Sequence, residues 1–474
     1  MADPCRDEVE PVLRLTLEAG LAYLAAVDRA PTREQGAVEY AQAWSPELSG
    51  SGLGAEGALD QLAELGLRAG VASSGPRYFH YVVGGVTPAA LAGQWLGDVM
   101  DQVASSWTSS PAAARLEEVV LDWLLVLLEL PRSWSGVLVS GAHQANQTCL
   151  AAARQWWGKQ HGVDVSRDGL FGLPVMPVLA GGYLHASIPK ALAGLGLGTR
   201  CVQRFDQGGQ GRLDLGALSL ALDELGDTPA VLVISAGEVN SGDFDPLEAA
   251  LRLVAGRRVW VHVDGAFGLC TRAAEEFREW TAGIEGVQSA ALDAHKWLNV
   301  PTGCGVAFVA DKRFLAAPHR LRGGYLPGGD QARTVFANLG PEMSRPPRAF
   351  ALWSCLAAYG QQGVAGWIRR HVELAREFGR RIDAEQDFER LAPVHSNVVC
   401  FRLRPAGMRA RLLDELNESF VRQVNDAGRV ELGSTRFGGR VALRVAFANW
   451  RTEQDELELL LDALRLGAAR IESA

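Results

Sequence analysis

Between residues 136 and 309, short apolar runs alternate with helical stretches, and this rhythm constrains the fold more than any other feature of the chain. Gly136-Val137-Leu138-Val139 and residues 175–179, 231–234, 259–263 and 306–309 are short, apolar and rich in β-branched residues. Runs of that kind read as strands covered on both faces. Helical patterns fall between them, one following residue 146 and others beginning near residues 188 and 247. Strand, helix and strand repeated in this way give an α/β fold with a largely parallel sheet, and ligands are expected at the carboxyl ends of its strands. The flanks differ. Residues 12–28 and 57–69 have helical spacing around a Gly/Ser/Pro loop at 45–54, and neither segment can make a domain alone. After residue 345 come helical stretches at 348–359 and 366–382, strands at 398–403 and 441–448, and a last helix at 453–471, the pattern of a separate α+β domain.

A chain of 474 residues exceeds what one small core holds. The expected division is a helical segment at 1–75, a large domain at 76–345 and a small domain at 346–474. Hydrophobic residues at 48 % and charged residues at 21 % are the balance of a globular protein. A formal net charge of −9, without a dense Lys/Arg cluster, argues against a nucleic-acid partner. The 7 cysteines are scattered and form no CxxC pair, which argues against a disulfide framework and a metal site and for a reducing compartment. The start is acidic where a signal peptide needs a basic and then an apolar run, and the most apolar stretch, at 119–128, is broken by Asp122. The expectation is therefore a cytoplasmic protein with no membrane partner.

The chemistry concentrates in residues 259–300. Val259-Trp260-Val261-His262-Val263 delivers Asp264 at a strand end, and a later apolar run delivers His295 and Lys296 side by side. A lysine at one strand end can form a Schiff base, and an acid at another can hold a heterocyclic nitrogen protonated opposite it. That pair points to pyridoxal phosphate. Upstream, a strand runs into Ser140-Gly141-Ala142-His143-Gln144-Ala145-Asn146 and then a long helix, a turn whose free N–H groups and dipole suit a phosphate. His185 and Glu238 follow other strand ends, an aromatic-rich stretch at 77–85 holds Tyr81, and a Gly-rich segment at 321–347 holds Tyr325.

With these residues placed, the chain resembles the group II pyridoxal-phosphate-dependent amino-acid decarboxylases, the family of aromatic-amino-acid and glutamate decarboxylases. The resemblance is carried by His262-Val263-Asp264-Gly265-Ala266-Phe267-Gly268, Asp293-Ala294-His295-Lys296-Trp297, the turn at 140–146, His185 and the tail Asn449-Trp450-Arg451-Thr452. It implies a fold-type I transferase fold with a mainly parallel seven-stranded sheet, and a homodimer whose active sites are shared between subunits. It further implies that Lys296 carries the cofactor, Asp264 pairs with its ring nitrogen, and His185 and Ala266 pack on the two ring faces. Ala142, His143, His295 and Asp293 would surround the phosphate. Tyr325 stands where the family's loop tyrosine returns a proton to the substrate carbon, and Tyr81, Ser105 and Glu238 stand around the substrate. The chain departs from the pattern in the turn, in Asp-Gly-Ala after the strand, and in Val82, Val83, Gly84 and Ser105 where relatives use bulkier or aromatic groups. The implied reaction is decarboxylation of an L-amino acid, with aromatic ones as candidates. Its rivals are oxidative deamination to an aldehyde, elimination, transamination, or a non-catalytic fold relative.

Overall fold

The computed structural model describes residues 8–48, 50–321 and 333–472. Its larger sheet has seven strands: β1 (Ser135–Val139), β2 (Val178–Gly181), β3 (Val202–Phe205), β4 (Ala230–Ser235), β5 (Val259–Asp264), β6 (Ser289–Asp293) and β7 (Gly305–Val309), in the spatial order β1-β7-β6-β5-β4-β2-β3. Only β7 runs antiparallel to its neighbours, pairing Val137 with Ala307 on one side and Ala291 with Ala307 on the other. The strands from β3 across to β6 are parallel, so their carboxyl ends open on one edge. The almost unbroken burial of β2, β4, β6 and β7 explains their uniformly apolar sequences, since helices cover both faces. Strand β2 begins later than its apolar run, because Pro177 has no N–H to give the ladder. Its carbonyl instead accepts from the N–H of Val231, and Val175 is left exposed.

The second sheet is antiparallel, with β8 (Phe388–Arg390), β9 (Val398–Leu403), β10 (Gly433–Phe437) and β11 (Arg440–Ala446) in the order β10-β11-β9-β8. The β10–β11 hairpin closes through Gly438-Gly439 at φ 56° and 74°, the left-handed conformations a two-residue turn needs. Phe378, Phe401, Phe420, Phe447 and Leu460 form the core of this unit. Phe79, from the aromatic-rich stretch, enters the same core, and its backbone bonds to Glu431 and Ala446. That stretch is therefore a strap stitched onto the small sheet.

Helix Ala349–Ala384 joins the two units and breaks at Gly360 (φ 61°), so it was legible as two pieces. Buried residues from Ala349 to Val372 pack in the core of the large sheet, and those from Leu374 to Ile382 in that of the small one. Helix Pro111–Leu127 is anchored by a buried ion pair. Arg345 donates to both oxygens of Glu117 at 2.8 and 2.9 Å, and Glu117 also accepts from the N–H of Leu138 on β1. Near the amino terminus lie helices Val9–Ala26 and Gly54–Ala69. Among the described residues, no helix is long and apolar enough to cross a membrane.

Candidate active site

Strands β5 and β6 lie side by side and bring Asp264 and Lys296 to one edge of the sheet. Asp264 is the last residue of β5, 6 % exposed, and Lys296 sits in the single helical turn Ala294–Trp297 that follows β6. That turn is held from several directions. The N–H of Gly84 donates to the carbonyl of His295 at 3.2 Å, and a Cβ on Gly84 would lie 1.8 Å from the carbonyl oxygen of Lys296. Asn299, at φ 56°, donates through Nδ2 to the carbonyl of Trp297 and accepts from the N–H of Trp450. The indole of Trp297 donates to His371 Nδ1 at 2.8 Å, and His371 Nε2 in turn lies 2.8 Å from the carbonyl of Asn449. Burial pushes His371 down to about 3, so it is neutral, with Nε2 as the donor.

Around Lys296 opens a narrow cleft lined by Tyr183, His185, Glu238, Asp264, Ala266 and Phe267. A wider depression beside helix Leu247–Val254, with Arg212, Asp243 and His395 on its rim, holds none of these groups, so chemistry and not size marks the site. His185 keeps one side of its ring open to the cleft while its Nδ1 edge is embedded against Ser187. Desolvation on the inner side lowers its pKa, opposed by the charge of Asp264. An open aromatic face above an acid and a lysine can receive a flat heterocycle.

Beside the cleft lies a helix amino terminus, whose His143 is close enough to act electrostatically on His185. Gly141 starts helix Ala142–Gln160 at φ 153°, a conformation that favours glycine, and Gly305 packs on it so closely that a Cβ on Gly305 would come 2.4 Å from the Gly141 carbonyl carbon. The N–H of Ala142 donates to Asp293 Oδ2 at 3.0 Å. His295 Nδ1 lies 2.7 Å from Asp293 Oδ1, but without the alignment of a hydrogen bond. His143 Nδ1, His295 Nδ1 and Asp293 Oδ1 are thus buried without hydrogen-bond partners among the described residues. A buried nitrogen left unpaired at a helix amino terminus, as His143 Nδ1 is, costs free energy unless a partner meets it, whereas His295 Nδ1 already faces the Asp293 carboxylate. The residues fit a phosphate there, and with Asp264 and Lys296 they fit pyridoxal phosphate.

Glu238 lines the cleft, yet its carboxylate turns toward its own loop. Oε1 accepts from the N–H and Nδ2 of Asn240 at 2.8 and 2.6 Å, and Oε2 from the N–H and hydroxyl of Ser241 at 2.9 and 3.0 Å. Those four donors fill a carboxylate's acceptor sites. Burial nevertheless raises Glu238 to about 7. Tyr81 is 60 % exposed, adopts φ 54° and stacks on His80 with ring centres 3.9 Å apart. Ser105 donates to the carbonyl of Met343. Neither residue is among those lining the cleft of this chain, and Tyr325 lies outside the described residues. The sequence reading passed over Tyr183 in the cleft wall and Arg444, a buried guanidinium from β11 that donates to the carbonyl of Val239 at 2.6 Å. A lone arginine in an apolar strand was the available signal for the second.

The family model for the pyridoxal-dependent decarboxylase conserved domain matches residues 55–404. The chain belongs to the pyridoxal-dependent decarboxylases. This decarboxylase uses pyridoxal phosphate to remove the carboxylate of an L-amino acid, and it has the fold-type I architecture. It is 28 % identical over 419 residues to tyrosine decarboxylase 4 of Petroselinum crispum, covering 82 % of this chain and 80 % of the relative. It is also 28 % identical over 398 residues to phenylacetaldehyde synthase of Arabidopsis thaliana, covering 81 % and 80 %. Among solved structures, Oryza sativa TDC with PLP and tryptamine superposes with a TM-score of 0.89 at 25 % identity over 98 % of each chain.

Proposed function

We propose that this decarboxylase converts an aromatic L-amino acid to its amine and CO₂, acting as a cytoplasmic homodimer. The observation that carries the reading is the convergence of Asp264, Lys296 and His185 on one cleft, beside a helix amino terminus where His143 Nδ1 is buried and unpaired. The aromatic substrate class is supported by the tyrosine decarboxylase relative and the tryptamine-bound neighbour. The six cysteines among the described residues are unpaired, which suits a reducing compartment.

Bound pyridoxal phosphate supplies the electron sink that accepts the pair left on Cα as CO₂ departs. Lys296 Nζ would hold the cofactor and yield its place to the substrate amine. The Asp264 carboxylate would keep a proton on the ring nitrogen, and His185 and Ala266 would pack on the two faces. His143, His295 and the first free N–H groups of helix Ala142–Gln160 would take the phosphate, with the small Ala142 side chain leaving it room. Asp293 already holds the Ala142 N–H, and its charge would repel a phosphate, so it would act by anchoring the helix start and His295. Tyr325 would return the proton to the substrate carbon. Tyr81 and Ser105, outside the cleft of their own chain, would meet substrate in a neighbouring subunit. A second copy would also cover the exposed stripe of Val9, Leu13, Leu17 and Leu21 on the first helix.

A second reading, aldehyde formation, is favoured by the phenylacetaldehyde synthase relative. Both are tested by supplying 1-¹³C-labelled tyrosine, tryptophan and phenylalanine. Equal release of labelled CO₂ and amine is expected. Aldehyde, ammonia and peroxide appearing with the CO₂, and consuming O₂, would replace the first reading by the second.

A further inference from the structure

Behind the cleft, a line of enclosed side chains runs from the middle of the sheet to His185. Trp260 Nε1 donates to Ser289 Oγ at 2.9 Å, and Ser289 Oγ lies 3.0 Å from His262 Nδ1. His262 Nε2 lies 3.0 Å from Asn146 Oδ1, Asn146 Nδ2 donates to Ser187 Oγ at 3.2 Å, and Ser187 Oγ lies 2.7 Å from His185 Nδ1. Ser187, at 8 % exposed, is the most accessible of the five residues behind His185, and Asn146, His262 and Ser289 are fully enclosed. Their polarity is therefore set by one another and not by water.

The direction of each link follows from groups that can only donate. The backbone N–H of Ser187 points at His185 Nδ1 from 3.2 Å, so that nitrogen must be an acceptor. The Ser187 hydroxyl must then donate to it as well, and its oxygen must accept from the amide NH₂ of Asn146. The Asn146 carbonyl consequently faces His262 Nε2, which must carry a proton. Burial pushes His262 down to about 4, so its ring is neutral and Nδ1 accepts from the Ser289 hydroxyl. The far end agrees, because the indole of Trp260 can only donate to that serine.

We propose that this line is a positioning relay, with Ser187, Asn146 and His262 as positioning residues, that holds His185 as the neutral tautomer with its proton on Nε2 facing the cleft. The proposal rests on the reading of His185 as the residue over the cofactor. The charged and titratable groups facing His185 are Asp264, Lys296, Arg444 and His143, and none of them touches Nδ1. With its lone pair engaged from behind, His185 offers the cleft a hydrogen-bond donor, fit to hold a carboxylate oxygen and unfit to act as a base. Return of the proton to the substrate carbon then falls to another group, for which the sequence offers Tyr325.

The test is long-range ¹H–¹⁵N correlation of protein labelled with ¹⁵N-histidine, with and without cofactor, His185 being assigned by the signal lost in His185→Gln. The wild type should show an unprotonated Nδ1 and a protonated Nε2. In Asn146→Asp, a nearly isosteric change, the NH₂ becomes an oxygen, so the Ser187 hydroxyl turns to it, Nδ1 keeps only the longer 3.2 Å contact from the backbone N–H, and a share of His185 gains a proton there. The His185 titration midpoint, and the matching limb of the pH–kcat profile, should rise by about one unit or more, a tenfold change in protonation. Ser187→Ala, milder for folding, should leave mixed tautomers. A protonated Nδ1 in the wild type would overturn the proposal, as would an unchanged tautomer in both variants. A protein that takes up no cofactor would instead defeat the functional reading, and the cofactor-free spectra separate the two failures.

Discussion

The floor of the cleft and its rim are built differently. On the floor, the turn bearing Lys296 is tied to Gly84, Asn299, His371 and the Asn449–Trp450 backbone, and Asp264 is fixed at the end of a buried strand. At the rim, Tyr81 is mostly exposed and Ser105 spends its hydroxyl on a loop carbonyl. A single chain thus assembles the groups proposed to hold the cofactor but not those proposed to read the substrate. The difference teaches where each property can be broken: floor changes should abolish chemistry or cofactor binding, and rim changes should move selectivity.

The largest effect is expected on the floor. Lys296→Ala should reduce decarboxylation to background and leave the purified protein with little cofactor, measured by absorbance after alkaline release, while the circular dichroism spectrum stays that of the wild type. Retained turnover would break the contrast at once. Next in size is Arg345→Met, beneath the rim. It leaves Glu117 buried and uncompensated, and removing one partner of such a pair costs about 3–5 kcal/mol. An unfolding free energy lowered by that amount in denaturant titration, and largely restored in Arg345→Met/Glu117→Leu, is the expected result. No shift would mean that the pair does not anchor helix Pro111–Leu127.

Glu238 stands between floor and rim, and its prediction has a sign. Burial raises it from an ordinary 4.5 to about 7, so the folded protein binds this proton more tightly than the unfolded chain. Its stabilising contribution is complete below about pH 4.5 and is lost as pH rises through 7. Wild type should therefore lose roughly 3 kcal/mol more than Glu238→Gln between pH 5 and pH 8, measured by urea unfolding. The variant should also be less stable throughout, since its amide NH₂ opposes donors in the loop. Parallel pH curves would show that Glu238 is already ionised in the fold.

How much of this was legible follows from how local each signal is. The strands could be read because burial on both faces writes a continuous apolar run, and Asp264 and Lys296 because each closes such a run. The kink at Gly360 showed as two helical patterns. The start of β2 was misplaced because the apolar run extends across Pro177, where only a missing N–H ends the ladder. Glu238 could be seen as unusual, but its saturation by Asn240 and Ser241 depends on backbone geometry that composition does not encode. The relay behind His185 was invisible for a plainer reason: its links span 29, 27, 116 and 41 residues before the last joins neighbours. His262 was quoted as part of a motif, yet nothing local said that it speaks to Asn146.

The smallest effect is expected at the rim and sharpens the comparison most. Tyr81 has its ring on His80 and most of its surface in solvent, so replacing it by phenylalanine removes a hydroxyl without disturbing packing. If that hydroxyl meets substrate in a partner subunit, the loss is that of one hydrogen bond, about 0.5–1.5 kcal/mol, or roughly two- to tenfold in KM. The kcat should hardly change, because no group on the floor has moved. The rise should be larger for tyrosine than for phenylalanine if the hydroxyl reads the ring substituent, and equal for both if it reads the amino-acid end. The same assay run on serial dilution tests the assembly: activity per chain should fall at concentrations where sedimentation shows the dimer dissociating. Activity that persists in the monomer would place substrate recognition within one chain and move the search from Tyr81 and Ser105 to the cleft wall, where Tyr183 and Phe267 already stand beside Lys296.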